Sequence, residues 1–314
     1  MKKTIKKRAF VSAIAMLIVS AIVLTSSTFA WFSMSKEAEV QSMDLTVSSP
    51  EGIQISANAS AWTASLTVDE IFDNDDEKTS RYDAYEGNNN LYPADLIPVS
   101  SAFAAANSAT GYANFYKATL DDSGRATVTA VTQSKDSQDA AGLIAFDLFF
   151  KVAEAQTVKF GASTFTDNSN SKILSALRVA FSPLGNVAIG TDAATATALN
   201  TFTANKNVSY EVDSLNRSDD ATALGISAGR LSTEYLYGTG GNGRTAVNGV
   251  LVGSGTSMNG TAVNDQSAES EKVFSLDAGI TKVRVYIWVE GQDVDCLNSV
   301  AGAALTANLK FTID

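Results

Sequence analysis

The chain contains no histidine, and that absence removes a broad part of enzyme chemistry. A Ser-His-Asp triad, a Cys-His pair, an imidazole zinc site and a histidine general base all need a side chain that is missing. There is one cysteine, Cys296, so no intramolecular disulfide can staple the fold. Its neighbour Asp295 raises a thiol pKa and nothing basic adjoins it, which makes Cys296 a poor nucleophile. A buried cysteine at a strand end and an intermolecular disulfide are the two readings left for it. Charge is also scarce, at 18% of residues, while Ala, Ser, Thr, Asn and Gly are abundant, so polarity comes mostly from uncharged side chains. Beyond the N-terminal segment no long amphipathic helical pattern is found.

The charge that is present is acidic. The whole chain carries 23 Lys+Arg against 34 Asp+Glu, a net −11. Setting aside the five basic residues of the N-terminal cluster leaves 18 against 34, or −16. Such a surface repels nucleic acid and anionic lipid, so neither is expected as a partner. A hydrophobic content of 45% supplies a real core and excludes disorder throughout.

Lys2, Lys3, Lys6, Lys7 and Arg8 are followed by an apolar run from Ala9 to Leu24, broken only by Ser12 and Ser20. This is the layout of a secretory signal over residues 1–30. The small-x-small rule places cleavage after Ala30, with Thr28 at the minus-three position and Trp31 as the new N-terminus. The alternative is an uncleaved anchor, because a helix from Ala9 to Phe32 would be about 36 Å long, enough to cross a hydrocarbon core. A type IV pilin leader does not fit, since it is cut before its apolar run and carries a glutamate near the start of that run. Membrane contact is expected only through this segment.

The stretch Thr28-Phe29-Ala30-Trp31-Phe32 resembles the processing region of the TasA/camelysin family of secreted Gram-positive proteins, which are cut by a dedicated signal peptidase. Near the other end, Val285-Tyr286-Ile287-Trp288-Val289-Glu290-Gly291-Gln292-Asp293-Val294-Asp295-Cys296 followed by a final strand is similar to the ending of clostridial-type relatives of that family. The resemblance implies a sandwich of jelly-roll type and a structural subunit of extracellular matrix, biofilm or cell-surface fibres. It also implies an arm over residues 31–42 that inserts as a strand into the next subunit, with Trp31, Phe32, Met34 and Val40 as its apolar residues. Lys36, Glu37 and Glu39 add charge to that arm. Camelysin was named as a protease, yet this chain has no His-Glu-x-x-His motif.

Downstream, strand patterns dominate. Met43, Leu45 and Val47 alternate with polar residues, and Pro50-Glu51-Gly52 turns the chain into Ile53 to Ser56. Leu143 to Val152 is the strongest core strand: Ile144, Phe146, Leu148, Phe150 and Val152 point one way, Ala145, Asp147, Phe149 and Lys151 the other. Val158 and Phe160 continue the core, Ala126 to Val131 reads as an edge strand, and Leu177 to Phe181 reads as a strand closed by Pro183-Leu184-Gly185. Val283 to Val289 and Leu305 to Ile313 also alternate, and their closeness predicts an antiparallel pair. The region from Tyr82 to Ala118 looks like loop decoration, with Ser101 to Asn107 as a short helix.

The remaining candidates are weak. Asp73, Asp75 and Glu77 have the alternate spacing of a calcium loop, but Lys78 stands where its glycine belongs and no bidentate glutamate follows, so a solvated acidic loop is favoured. Eight glycines between Gly238 and Gly260 lack the Gly-Lys-Ser/Thr of a phosphate loop and read as a surface excursion. Trp288, Tyr286 and Trp62 could form a sugar platform, although packing is the more frequent role of such rings. Paired carboxylates are a remaining route to catalysis, but the acids cluster in loops and the sequence shows no aromatic-lined cleft.

The expectation is an all-β chain: an antiparallel β-sandwich of jelly-roll type over residues 43–314, with an N-terminal apolar helix and loop insertions near 69–118 and 186–271. The function expected is a secreted, non-enzymatic fibre subunit that partners itself and needs no cofactor. The alternative is a membrane-tethered surface binding module or adhesin.

Overall fold

The computed structural model describes residues 41–48, 52–72, 85, 87–106, 112–120, 126–137, 142–160, 163–167, 173–201, 208–212, 273–291, 296 and 303–313. The apolar N-terminal segment and the residues named above for processing and assembly, Thr28, Ala30, Trp31, Phe32, Met34 and Val40, lie outside them. So do Asp73, Asp75, Glu77 and the glycine-rich stretch 238–260. Among the described residues no helix is long and apolar enough to cross a membrane.

The chain is predominantly β. Its strands are β1 (Gln41–Ser48), β2 (Gln54–Ser56), β3 (Ser65–Thr67), β4 (Ser100–Ala106), β5 (Ala113–Leu120), β6 (Ala126–Ala130), β7 (Leu143–Val152), β8 (Gln156–Lys159), β9 (Thr164–Asp167), β10 (Leu177–Val187), β11 (Val208–Glu211), β12 (Val273–Leu276), β13 (Gly279–Val289) and β14 (Ala304–Lys310). Two one-turn helices, α1 (Val68–Phe72) and α2 (Ala193–Thr197), follow β3 and β10.

Two sheets share the main core. A four-stranded sheet has the order β3-β1-β14-β9, and a five-stranded sheet has the order β11-β10-β13-β7-β2. Ile144, Phe146, Leu148 and Phe150 of β7 lie in that core with Val283, Val285 and Ile287 of β13. Leu45 and Val47 of β1 and Leu305, Ala307 and Leu309 of β14 belong to the same cluster. The alternation read from the sequence is therefore the alternation of faces. All pairings of the five-stranded sheet are antiparallel, whereas β1 and β14 run parallel in the other, with Leu45 opposite Ala307 and Val47 opposite Leu309.

The expected hairpin of the last two strands does not form. Both edges of β13 are occupied, by β10 and β7, so no edge remains for β14. The connection from Gly291 to Ala303 instead carries the chain into the four-stranded sheet, between β1 and β9. Likewise β10 does not stop at Pro183-Leu184-Gly185. A bulge between Pro183 and Gly185 absorbs the missing proline N–H, and the strand runs on to Val187.

The region read as loop decoration holds a three-stranded sheet, β4-β5-β6, with β6 at its edge as expected. Ser101 to Ala106 is strand, not helix. Its alanines favour helix, but the antiparallel partner β5 supplies the backbone hydrogen bonds and tertiary pairing overrides propensity. Leu91 bridges Ala145 of β7, and Val99 bridges Glu290 just after β13, tying this insertion to the five-stranded sheet. Leu91, Val99, Ala113 and Phe115 then form a second core with Leu143, Ala145, Ala180, Tyr286 and Trp288. The outer face of the sheet is thus covered, and every residue of β13 is buried. The stretch after Asn186 is also only partly loop, because β11 extends the same sheet and buries Tyr210.

Gly279 opens β13 at φ +127°, and a Cβ there would sit 2.3 Å from the Val187 carbonyl oxygen. Gly279→Ala is therefore expected to cost about 1–3 kcal/mol through backbone displacement. Urea unfolding checks this, and a change below about 0.5 kcal/mol, the range of a neutral surface substitution, would contradict it.

Candidate functional site

The covered outer face carries charge in its centre. Asp147 of β7 and Arg284 of β13 are directly opposed across the two strands, and Lys282 lies two residues along the same face. Side-chain exposure is 0% for Asp147 and Arg284 and 4% for Lys282. Arg284 Nη1 donates to Asp147 Oδ1 at 3.0 Å, and Lys282 Nζ stands 3.4 Å from Oδ2. The Tyr85 hydroxyl donates to the same Oδ2. The carboxylate is thus held from three sides.

The surrounding loop completes the cage. The Asn90 side-chain oxygen accepts from the Asp147 backbone N–H at 3.1 Å, and its amide donates to the Ile71 carbonyl at 3.2 Å. Asn88 Oδ1 accepts from the Asn90 N–H, while its Nδ2 donates to the Tyr85 carbonyl. The Asn89 carbonyl accepts from Arg284 Nη2. Three consecutive asparagines, legible in the sequence only as a strand breaker, therefore brace a buried ion cluster. The Arg284 guanidinium also lies 3.9 Å from the centre of the Tyr112 ring, and Lys282 Nζ lies 5.2 Å from that of Tyr85.

Burial dominates the electrostatics, and the ion contacts then act for or against it. Burial by itself would raise the Asp147 pKa, but Arg284 and then Lys282 outweigh it and hold the carboxyl below its ordinary value. Burial lowers the Lys282 ammonium, and Asp147 only partly offsets this. Burial would also lower Arg284, but the Asp147 charge reverses it and the guanidinium stays charged. Tyr85, Tyr112 and Tyr286 are all pushed up, chiefly by burial, and stay protonated.

Above this cluster opens a cleft of about 570 Å³ between the loop carrying Tyr85 and Gly87, Tyr112 ahead of β5, and α2 with the residues after it. Lys282 reaches it from below and donates to the Thr197 carbonyl at 2.8 Å. α2 is held by Asp192, whose carboxylate accepts from the N–H and hydroxyl of Thr195. Tyr85 and Tyr112 line the cleft, so an aromatic-lined cavity exists where the sequence showed none.

The sequence candidates fall elsewhere. Trp288 and Tyr286 are fully buried against Phe115, at 5.1 and 5.3 Å between ring centres, and Trp62 stacks with Lys151, so these rings pack and build no sugar platform. Cys296 is fully buried in the main core, as its plain reading had it, which keeps its sulfur from a partner chain. The site itself was missed. Its signal was present in Asp147, Lys282 and Arg284, charges of both signs at the centres of the two most apolar strands. Comparison of the chain with protein-family models, with curated proteins and with solved structures finds no match.

Proposed function

We propose that this chain is a secreted structural subunit of extracellular or cell-surface fibres, a distant jelly-roll relative of the TasA/camelysin group. Residues 1–30 would serve export, and the part of the 31–42 arm that precedes β1 would join neighbouring subunits by strand addition. One observation in particular supports this reading. β1 takes up the last two residues of the expected 31–42 arm, pairs with β14 at Gln41 and again from Asp44 to Ser48, and on its other side is covered only at Thr46–Ser48 by β3 among the described residues. Among the described residues Gln41 to Leu45 has no strand on that side, and an extended segment from another copy adds to such an edge through backbone hydrogen bonds. The absence of histidine, together with a central ion cluster whose carboxylate is fully engaged, argues for a structural rather than a hydrolytic role.

The test compares residues 31–314 with 41–314, the second keeping β1 whole, by negative-stain electron microscopy and light scattering. Filaments from the longer form and a monomer from the shorter are the expected result. Monomers from both across salt and pH would remove the fibre reading.

A further inference from the structure

We propose that the cleft over Lys282 binds a small organic carboxylate carried on a polar ring, of the size and chemistry of an acidic monosaccharide. This goes beyond the fibre reading and does not depend on assembly.

Charge selects the ligand's sign. One carboxylate, Asp147, faces two cations, Lys282 and Arg284, and both of its oxygens are engaged. Among the described residues no second acid faces them, so the described cluster holds two cationic groups and one carboxylate beneath the cleft. Arg284 Nε is buried without a hydrogen-bond partner. The Lys282 ammonium has three N–H groups, of which Thr197 and Asp147 take two, and the residue lines the cleft. A single anionic group placed against Lys282 would balance the second cation through a charge-assisted hydrogen bond. One cation to balance fits a carboxylate better than a phosphate dianion.

The walls select the ligand's body. About 570 Å³ far exceeds what a bare carboxylate fills. Tyr85 and Tyr112 present ring surface, and Asn58 and Asn200 bring amide groups. The Asn58 Oδ1 already accepts from Ser56, Ser60 and Ala61, which leaves its NH2 as the donor available to a ligand. Aromatic surface beside amide donors suits a hydroxyl-bearing ring. The acidic surface of the chain as a whole gives no long-range attraction for an anion, so recognition rests on this local charge.

The test titrates the purified full chain with D-glucuronate, glucose, acetate and inorganic phosphate by calorimetry and by ligand-observed NMR. Glucuronate is expected to bind at least about tenfold more tightly than glucose, the size of one charge-assisted hydrogen bond, and about tenfold more tightly than acetate and phosphate, which have the charge but no ring for the walls. Lys282→Met keeps the Asp147–Arg284 pair and should weaken glucuronate by about tenfold or more. Ala194→Phe puts a ring into the cleft from the exposed side of α2 while keeping every charged residue, and should abolish binding even if Lys282→Met fails to fold. No binding of glucuronate, equal binding of glucose, acetate or phosphate, or glucuronate affinity unchanged in Ala194→Phe would each overturn the proposal.

Discussion

Asp147→Ala is expected to destabilise the chain by about 3–5 kcal/mol, among the largest losses any single substitution here can produce. Among the described residues the substitution removes the one carboxylate facing two buried cations, and it also takes the acceptor from the Tyr85 hydroxyl. The remaining charges must then shed protons or draw in water, and Arg284, whose pKa Asp147 raises, cannot shed one. At roughly 2–4 °C per kcal/mol for a domain of this size, the melting temperature should fall by about 10 °C. Scanning calorimetry measures it, and a cost below about 1 kcal/mol would show that the cluster is hydrated or open. Removing all three charges together, as Asp147→Leu with Lys282→Met and Arg284→Met, should recover most of the loss, because no buried ion is then left unpaired.

The pH dependence of that contribution follows from the direction of the shift. The folded Asp147 pKa lies below 3.8, so the stability it confers is present above the ordinary aspartate range and is lost as pH falls through the folded value. Asp147→Ala should therefore unfold more readily at neutral pH while losing part of the acid sensitivity seen in the parent chain.

The cluster also marks the limit of what the sequence could say. Period-two patterning located β7, β10, β13 and β14 because a face of each meets the main core, and that signal survives without any knowledge of neighbours. It could not say what covers the other face. Asp147 alternates with the large apolar residues of β7, and Lys282, Arg284 and Tyr286 alternate with those of β13, which leaves open what lies over that face. They are buried because Leu91, Val99, Ala113 and Phe115 lie over the sheet, and those residues sit in a stretch whose prolines, asparagines and alanines resemble a loop with a short helix. Pairing was equally hidden. Two well-patterned strands near each other suggest a hairpin, yet β13 had already given both edges to β10 and β7. The long connection from Gly291 to Ala303 was the available hint, because a tight hairpin needs only two to five residues.

That same displacement of β14 into the facing sheet makes the C-terminus indispensable. A chain ending at Ala303 loses the strand that lies between β1 and β9, so the four-stranded sheet falls into two pieces joined by nothing else in its ladder. It also loses Leu305, Leu309 and Phe311 from the main core. Phe311 alone meets Phe150, Phe181 and Phe274 edge-on, at 5.0, 5.7 and 5.8 Å between ring centres. Truncating one buried phenylalanine costs about 3–5 kcal/mol and one buried leucine about 2–5, so three such losses together approach the ~5–15 kcal/mol that a domain has in total. Loss of cooperative unfolding is therefore expected for the chain ending at Ala303, read by circular dichroism and limited proteolysis. Phe311→Ala in the full-length chain should stay folded but weakened by about 3–5 kcal/mol. If the truncated chain still unfolds in one sharp transition, β14 is an appendage to a core complete without it, and the parallel β1–β14 pair cannot be what anchors β1.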